Sequence, residues 1–142
     1  MGEVIGEDDA VKRLMQPCPA FADVLREYLS NGGNPNEHYN TLGELARWVV
    51  SQVEAGEVHC LRELFNELEW LMVNADPEAR LVLVIGFVEE LQNWCVSYPT
   101  PAKRVDPDLF LPYLGPQTRA EWFKLVNGPI WRGRSWPGRV LG

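Results

Sequence analysis

The sequence contains few of the residue types from which metal and redox sites are usually built. Its 142 residues include two histidines, His38 and His59, and three cysteines, Cys18, Cys60 and Cys95, without C-x-x-C spacing. Three cysteines cannot all pair within one chain, and this usage predicts reduced thiols and a cytoplasmic location. We expect Cys60 and Cys95 to be small core residues rather than nucleophiles.

The sequence also lacks the short motifs of common catalytic and nucleotide-binding sites. It contains no G-x-x-x-x-G-K-[ST] and no G-x-G-x-x-G, and its serines lie in no nucleophile elbow. Glu89 and Glu90 are adjacent, so on a helix they diverge by about 100 degrees and do not form a paired acid and base. We therefore predict no catalytic residues, no cofactor and a protein that is not an enzyme.

One set of side chains has the spacing of metal ligands. His59, Glu63 and Glu67 recur every four residues and would share one face of a helix. Carboxylate-bridged metal sites need Glu-x-x-His pairs from two helices, and no such pair occurs here. We expect a solvated face without a metal, and a small metal-dependent enzyme using His59 and these carboxylates is an alternative.

No hydrophobic run is long enough to cross a bilayer. The most apolar stretch, RLVLVIGFVEELQNW (residues 80–94), is interrupted by two acids after eight apolar or glycine residues, whereas a membrane helix needs about 20. The N-terminal MGEVIGEDDAVKRL has acids where a secretory signal has basic residues. The sequence predicts no membrane segment and no export signal.

Basic residues are outnumbered and unevenly placed. Thirteen Lys and Arg oppose twenty Asp and Glu, giving a net charge of -7. All the acids lie at or before Glu121, whereas PIWRGRSWPGRVLG (residues 129–142) holds Arg132, Arg134 and Arg139 and no acid. An acidic body repels phosphate backbones, so we expect a basic protein partner and no nucleic acid.

Apolar residues recur at three- and four-residue intervals along most of the chain, which is typical of helices packed on a core. The pattern predicts helices over residues 8–16, 19–29, 41–55, 58–74, 77–96, 107–114 and 118–126. The expected fold is a single all-α domain over residues 1–128. It is a bundle of about five to six helices, in which residues 107–114 form at most a short helix within a proline-rich connection. An arrangement of the helices in repeat-like pairs is an open alternative. An irregular basic tail, residues 129–142, is strapped on the domain or disordered.

Capping signals place several helix ends. The two glycines and the proline of SNGGNPN (residues 30–36) predict the end of the helix over residues 19–29. Thr41 with Glu44 predicts a capping box at the start of one helix, and Gly56 predicts its end. Asp76 followed by proline predicts another start. Within residues 80–94 we expect a central helix rather than a strand or a membrane span, and Gly86 in its middle predicts close approach of a neighbouring helix. The polar strip of this helix comprises Gly86, Glu89, Glu90 and Asn93.

A candidate binding face is predicted on the helix over residues 58–74. Trp70 falls on its polar side with Glu63 and Glu67, and Glu44 and Glu54 on the neighbouring helix support them. An exposed Trp beside acids is typical of a hot spot for a basic partner. We expect Trp70 instead to be covered by the C-terminal tail or by the proline-rich connection before the last helix. In that case Arg132 or Arg134 would lie over Trp70 or pair with Glu63 and Glu67.

Residues 43–72, GELARWVVSQVEAGEVHCLRELFNELEWLM, together with LVLVIGFVEELQN and LPYLGPQTRAEW, resemble a family of small uncharacterised bacterial proteins. The order of an L-x-x-W-V-type helix, a leucine-striped helix, an apolar helix and a late L-G-P carries this resemblance over residues 40–122. Small acidic proteins of this kind are often suspected immunity proteins of bacterial toxin systems. The resemblance implies no enzymatic residues.

Taken together, these features predict a binding protein of the cytoplasm. Its acidic surface would sequester a basic partner, most concretely as an immunity protein that neutralises a cognate toxin by occlusion. A self-associating structural or adaptor protein, for instance a homodimer joined through the tail, is the alternative from another class.

Overall fold

The structure, a computed structural model, describes residues 4–97 and 105–127, and its regular elements are helices. The α-helices are α1 Glu7–Met15, α2 Phe21–Ser30, α3 His38–Glu54, α4 Leu61–Asn74, α5 Pro77–Leu83, α6 Glu89–Ser97 and α7 Pro116–Val126. A π-helical segment, Val84–Val88, joins α5 to α6, and a 3-10 helix, Pro107–Tyr113, precedes α7. The predicted all-α domain is confirmed, and the predicted tail lies outside the described residues.

Several predicted helix ends are confirmed by their capping groups. The Asp76 carboxylate accepts a hydrogen bond from the Ala79 amide at 2.7 Å, and Pro77 occupies the first turn of α5. Gly32 after α2 and Gly56 after α3 have φ angles of 98° and 80°, a left-handed conformation that glycine adopts without strain. Local sequence chemistry therefore fixes these ends.

The predicted capping box at Thr41 is wrong. Helix α3 begins three residues earlier, at His38, and the Thr41 amide donates to the Glu37 carbonyl inside the helix. The Thr41 side chain is buried, and Glu44 pairs with Arg47 at 2.6 Å instead of capping the helix. Thr41 sits beside buried Leu42, so packing of this face on the core overrides the local capping preference.

Helix α3 lies at the centre of the domain. It packs along the π-helical segment and α6, and it also contacts α1, α2 and α5. Helix α4 packs on α1, α7 and the 3-10 helix. The largest fully buried side chains are Phe21, Phe65, Phe87, Phe110, Trp122, Leu14, Leu42, Leu45, Leu64, Leu68, Leu71 and Leu83.

The central helix approaches α3 at Gly86, as the sequence predicts. A methyl group added to Gly86 would lie 3.0 Å from Leu42 Cδ1 and 3.4 Å from the Tyr39 Cα. The prediction that Gly86 belongs to the polar strip is wrong, because Gly86 is buried and Leu81 and Ile85 are 53% and 38% exposed. Leu81 and Ile85 are four residues apart, so they share the face of this helix that the fold leaves toward solvent.

The first turn of α1 is tied to the first turn of α3 by His38. Its Nδ1 lies 2.6 Å from a Glu7 carboxylate oxygen, and its Nε2 lies 3.0 Å from an Asp8 carboxylate oxygen. Among the described helices, none is both long enough and apolar enough to cross a membrane.

Candidate partner-binding groove

The predicted hot spot on α4 is already in contact with a cation. Trp70 is 40% exposed, and the Arg13 guanidinium of α1 lies 4.0 Å from the centroid of its indole ring. Arg13 Nε also donates to a Glu67 carboxylate oxygen at 2.7 Å. The predicted covering arginines, Arg132 and Arg134, lie outside the described residues. A basic partner at Glu67 and Trp70 would therefore compete with Arg13.

The five predicted binding residues do not form one surface. Glu63 and Glu67 lie on α4, which packs on α1 and α7. Glu44 is half-buried on α3 in a cleft between α2 and α6, and Glu54 is the exposed last residue of α3. The sequence pattern places all five on polar helix faces, but the fold separates Glu44 from the α4 residues.

The prediction that His59 shares one face of a helix with Glu63 and Glu67 is wrong. Helix α4 begins at Leu61, so His59 precedes the helix instead of sharing a face with Glu63 and Glu67. The imidazole is 89% exposed and its Nε2 lies 2.7 Å from a Glu57 carboxylate oxygen. Within residues 4–97 and 105–127, no group of three or more potential ligands is close enough to hold a metal ion.

Two adjoining clefts lie along the exposed side of α3. Their volumes are about 740 and 550 Å³, and the first lies between α2 and α3 and the second between α3 and α6. Tyr28, Asn40 and Glu44 line both clefts. We call the combined cleft the α3 groove.

The lining of the α3 groove combines acids with aromatic rings. Its carboxylates are Glu27, Glu37, Glu44 and Glu90, and its rings are Tyr28, Tyr39, Trp48 and Trp94. Arg47 also lines the groove, and its guanidinium is paired with Glu44. The exposed π-helical residue Ile85 lies at the α6 end, and π-helical turns are frequent at functional sites.

Part of this groove is visible in the sequence. Glu37, Asn40, Glu44, Trp48 and Ser51 recur at three- and four-residue intervals, which places them on one face of α3 opposite the leucine stripe. Glu90 and Trp94 on α6 are also four apart. Sequence reasoning missed the site because only tertiary packing brings the walls from α2 and α6 to this face.

The predicted state of the cysteines is partly wrong. Cys18 and Cys60 form a disulfide that joins the α1–α2 loop to the residue before α4, with their Cα atoms 5.5 Å apart. Spacing along the chain gave no indication that these two residues meet. Cys95 is free and buried, as predicted for a core residue.

Two described groups have displaced pKa values. Burial, and secondarily the charge of Asp106, raises the pKa of the Cys95 thiol to about 12, which makes it a poor nucleophile. Partial burial, with the neighbouring charge of Glu90, raises the pKa of Glu89. Glu90 faces the α3 groove, whereas Glu89 does not line it.

Comparisons with known proteins give a family without an assigned activity. No curated protein and no solved structure matches the chain significantly. A family model described as a domain of unknown function, DUF7674, matches residues 11–128, which cover α2 to α7 and most of α1. Because this match spans most of its length, the chain belongs to the DUF7674 family.

Proposed function

We propose that this protein is a non-enzymatic binding protein that takes up a basic segment of a partner protein in the α3 groove. The observation that carries the proposal is the combination of four carboxylates and four aromatic rings in one groove. In its most concrete form, the protein is an immunity protein that neutralises a cognate toxin by covering its functional surface.

The chemistry of the groove suits arginine and lysine side chains. Carboxylates accept charge-assisted hydrogen bonds from both, and aromatic faces attract the same cations through their negative ring surfaces. A body with net negative charge also accelerates encounter with a basic protein, an effect that salt weakens. The proposal therefore explains both the local lining and the overall charge.

Internal contacts favour the α3 groove over the predicted face on α4. Arg13 already stacks on Trp70 and binds Glu67, so a partner there gains little beyond the contact it displaces. In the α3 groove Arg47 occupies Glu44 in the same way, but among the described residues no lysine or arginine pairs with Glu27 or Glu90. Glu63 remains an exposed acid on that helix. Glu27, an exposed acid on the α2 wall of the groove, provides the matching position for comparison.

The test is affinity capture of the tagged full chain from its own cells at low salt, followed by mass spectrometry. Three baits are compared: the unchanged protein, Glu27→Lys and Glu63→Lys. We expect the unchanged bait and Glu63→Lys to retain one basic protein in stoichiometric amount and to release it as salt is raised. Glu27→Lys should weaken binding about tenfold, because it replaces attraction by repulsion inside the groove.

Melting curves of the three baits provide the control, since both substitutions are at exposed helix positions and should leave the fold intact. If Glu63→Lys abolishes capture and Glu27→Lys does not, the partner binds the α4 face and the groove assignment is wrong. If every bait recovers only copies of itself, the immunity proposal fails and self-association becomes the better explanation.

A further inference from the structure

Helix α2 forms one wall of the α3 groove and is attached to the domain through few contacts. It packs on α3, and among its ten residues Phe21 is the buried one. The Phe21 ring lies 5.7 Å from the ring of Trp48 on α3. Val24, Glu27 and Tyr28 of α2 line the groove. The position of the wall therefore depends strongly on how its N-terminal end is held.

The Cys18–Cys60 disulfide holds that end. Cys18 lies three residues before α2, and its carbonyl accepts a hydrogen bond from the Phe21 amide at 2.9 Å. Both half-cystines line an apolar cavity of about 190 Å³, together with Ala20 and Trp48. The disulfide is thus accessible from a cavity at the junction between α2 and the body of the domain.

We propose that the Cys18–Cys60 disulfide is an exchange site for a small thiol of the glutathione class, and that its opening releases α2 from the domain. The exchange and the release stand on the disulfide and its cavity alone. Their consequence, redox control of partner binding, rests on the proposed function of the α3 groove.

The two half-cystines are not equally buried. Cys18 is 1% exposed, whereas Cys60 is half-buried, so the attack is proposed at Cys60 Sγ. The attack forms a bond between the small thiol and Cys60 and breaks the bond between the two protein sulfurs. The electron pair passes to Cys18 Sγ, which leaves as a thiolate and takes up a proton.

A second small thiolate completes the exchange. It attacks the sulfur of the first small thiol and forms an external disulfide, and Cys60 leaves with the electron pair. Two small thiols are oxidised and the protein disulfide is reduced to two thiols. Cys60 immediately precedes the first turn of α4, and a helix N-terminus favours a thiolate, which suits Cys60 as the leaving and re-attacking group.

The test is hydrogen–deuterium exchange of the full chain, resolved by peptide, in buffers of reduced and oxidised glutathione. In reduced glutathione, the intact mass should rise by two hydrogens and amides of α2 should exchange about tenfold faster or more, because the constraint on local opening is removed. Exchange in α4 and α6 should not change. Oxidised glutathione should restore protection of α2.

Two variants make the test specific. Cys60→Ser is expected to show fast α2 exchange in both buffers, whereas Cys95→Ala is expected to respond as the unchanged protein does. A disulfide that persists in reduced glutathione would overturn the exchange site. An opened disulfide with unchanged α2 exchange, or with equal loss of protection in every helix, would overturn the release of α2.

Hydrogen–deuterium exchange needs no partner protein. The exchange site at the disulfide and the binding function of the α3 groove can therefore be refuted separately. Fast α2 exchange with no basic partner captured would refute the proposed function and leave the exchange site standing. Capture that depends on Glu27 but not on glutathione, with unchanged α2 exchange, would refute the redox inference alone.

Discussion

Gly86 lies where the π-helical segment packs closely against α3. A Cβ at this position would lie 3.2 Å from the Leu42 Cβ, which is fixed to its own backbone, and 3.4 Å from the Tyr39 Cα. Neither neighbour can move without shifting α3. We therefore predict that Gly86→Ala lowers the free energy of unfolding by about 1–3 kcal/mol, measured by urea denaturation.

Gly43 provides the matched control for this prediction. It also lies inside a helix, and the nearest atom to an added Cβ is a Glu90 side-chain carbon at 4.0 Å. Alanine there fits without overlap and should raise the free energy of unfolding by up to about 1 kcal/mol through helix propensity. Equal effects of the two substitutions would mean that propensity, and not helix approach, governs Gly86.

Thr41 is a buried residue whose hydroxyl has no hydrogen-bond partner within residues 4–97 and 105–127. Valine has nearly the same shape and lacks the hydroxyl, so Thr41→Val removes an unsatisfied polar group from the core. We predict that this substitution raises the free energy of unfolding by about 1 kcal/mol. Thermal melting followed by circular dichroism measures the change.

Thr118 supplies the opposite case. It is also buried, but its hydroxyl donates to a Glu69 carboxylate oxygen at 2.9 Å. Thr118→Val should therefore lower the free energy of unfolding by about 1 kcal/mol. A loss of stability in Thr41→Val similar to that in Thr118→Val would show that the Thr41 hydroxyl is satisfied in solution.

Among the helices, α7 depends for its N-terminus on a side chain from α4. Glu69 accepts hydrogen bonds from the amides of Gln117 and Thr118, at 3.1 and 2.9 Å, as well as from the Thr118 hydroxyl. Gly115 makes this possible, because a Cβ there would overlap the Glu69 side chain. Pro116 at the first helical position has no amide to satisfy. The L-G-P of the sequence pattern thus has a structural role.

Removal of this cap should loosen α7. We predict that Glu69→Ala lowers the free energy of unfolding by about 1–3 kcal/mol, since it leaves the first amides of α7 without their carboxylate. Hydrogen exchange should show the largest increase in residues 116–126. Glu63→Ala, at an exposed position of the same helix, should change stability by less than about 0.5 kcal/mol.

The sequence predicts most of these helices because their signals are local. The proline after Asp76, the glycines after α2 and α3, and the leucine stripe of α4 each act within a few residues, and all are confirmed. The cap from Glu69 is not visible in this way, because donor and acceptor are 48 residues apart. The π-helical segment is missed because a short apolar run gives no signal for one extra residue in a turn.

The candidate site is less predictable than the fold. One wall, the polar face of α3, follows from helical spacing, but the partner of Trp70 does not, because Arg13 reaches it from α1. The Cys18–Cys60 pairing likewise depends on how two loops meet. Ion pairs between distant helices, such as that of Arg13 with Glu67, occupy side chains that the sequence pattern offers to a partner.

The part of the chain that the structure describes has one hydrophobic core, and the buried Cys95 can be used to measure how well that core excludes solvent. This thiol is buried, and burial raises its pKa from 9.0 to about 12. In the disulfide-bonded protein it is the free cysteine, so alkylation by iodoacetamide at about pH 9 should be slow in buffer and fast in denaturing urea. Rapid alkylation of the folded protein would show that the core opens locally around α6.

The raised pKa of Cys95 also makes the folded protein less stable as pH rises above 9. Below its ordinary pKa of 9.0 the thiol is protonated in both states and contributes no pH dependence. Between about 9 and 12 the unfolded chain releases a proton that the folded chain keeps, so unfolding becomes more favourable as pH rises, by up to about 1.4 kcal/mol per pH unit. Cys95→Ala lacks this group, so the stability of the unchanged protein relative to this variant should fall between about pH 8 and pH 10. Parallel urea curves for the two proteins at both pH values measure the difference, and a constant difference would mean that Cys95 ionises in the folded state.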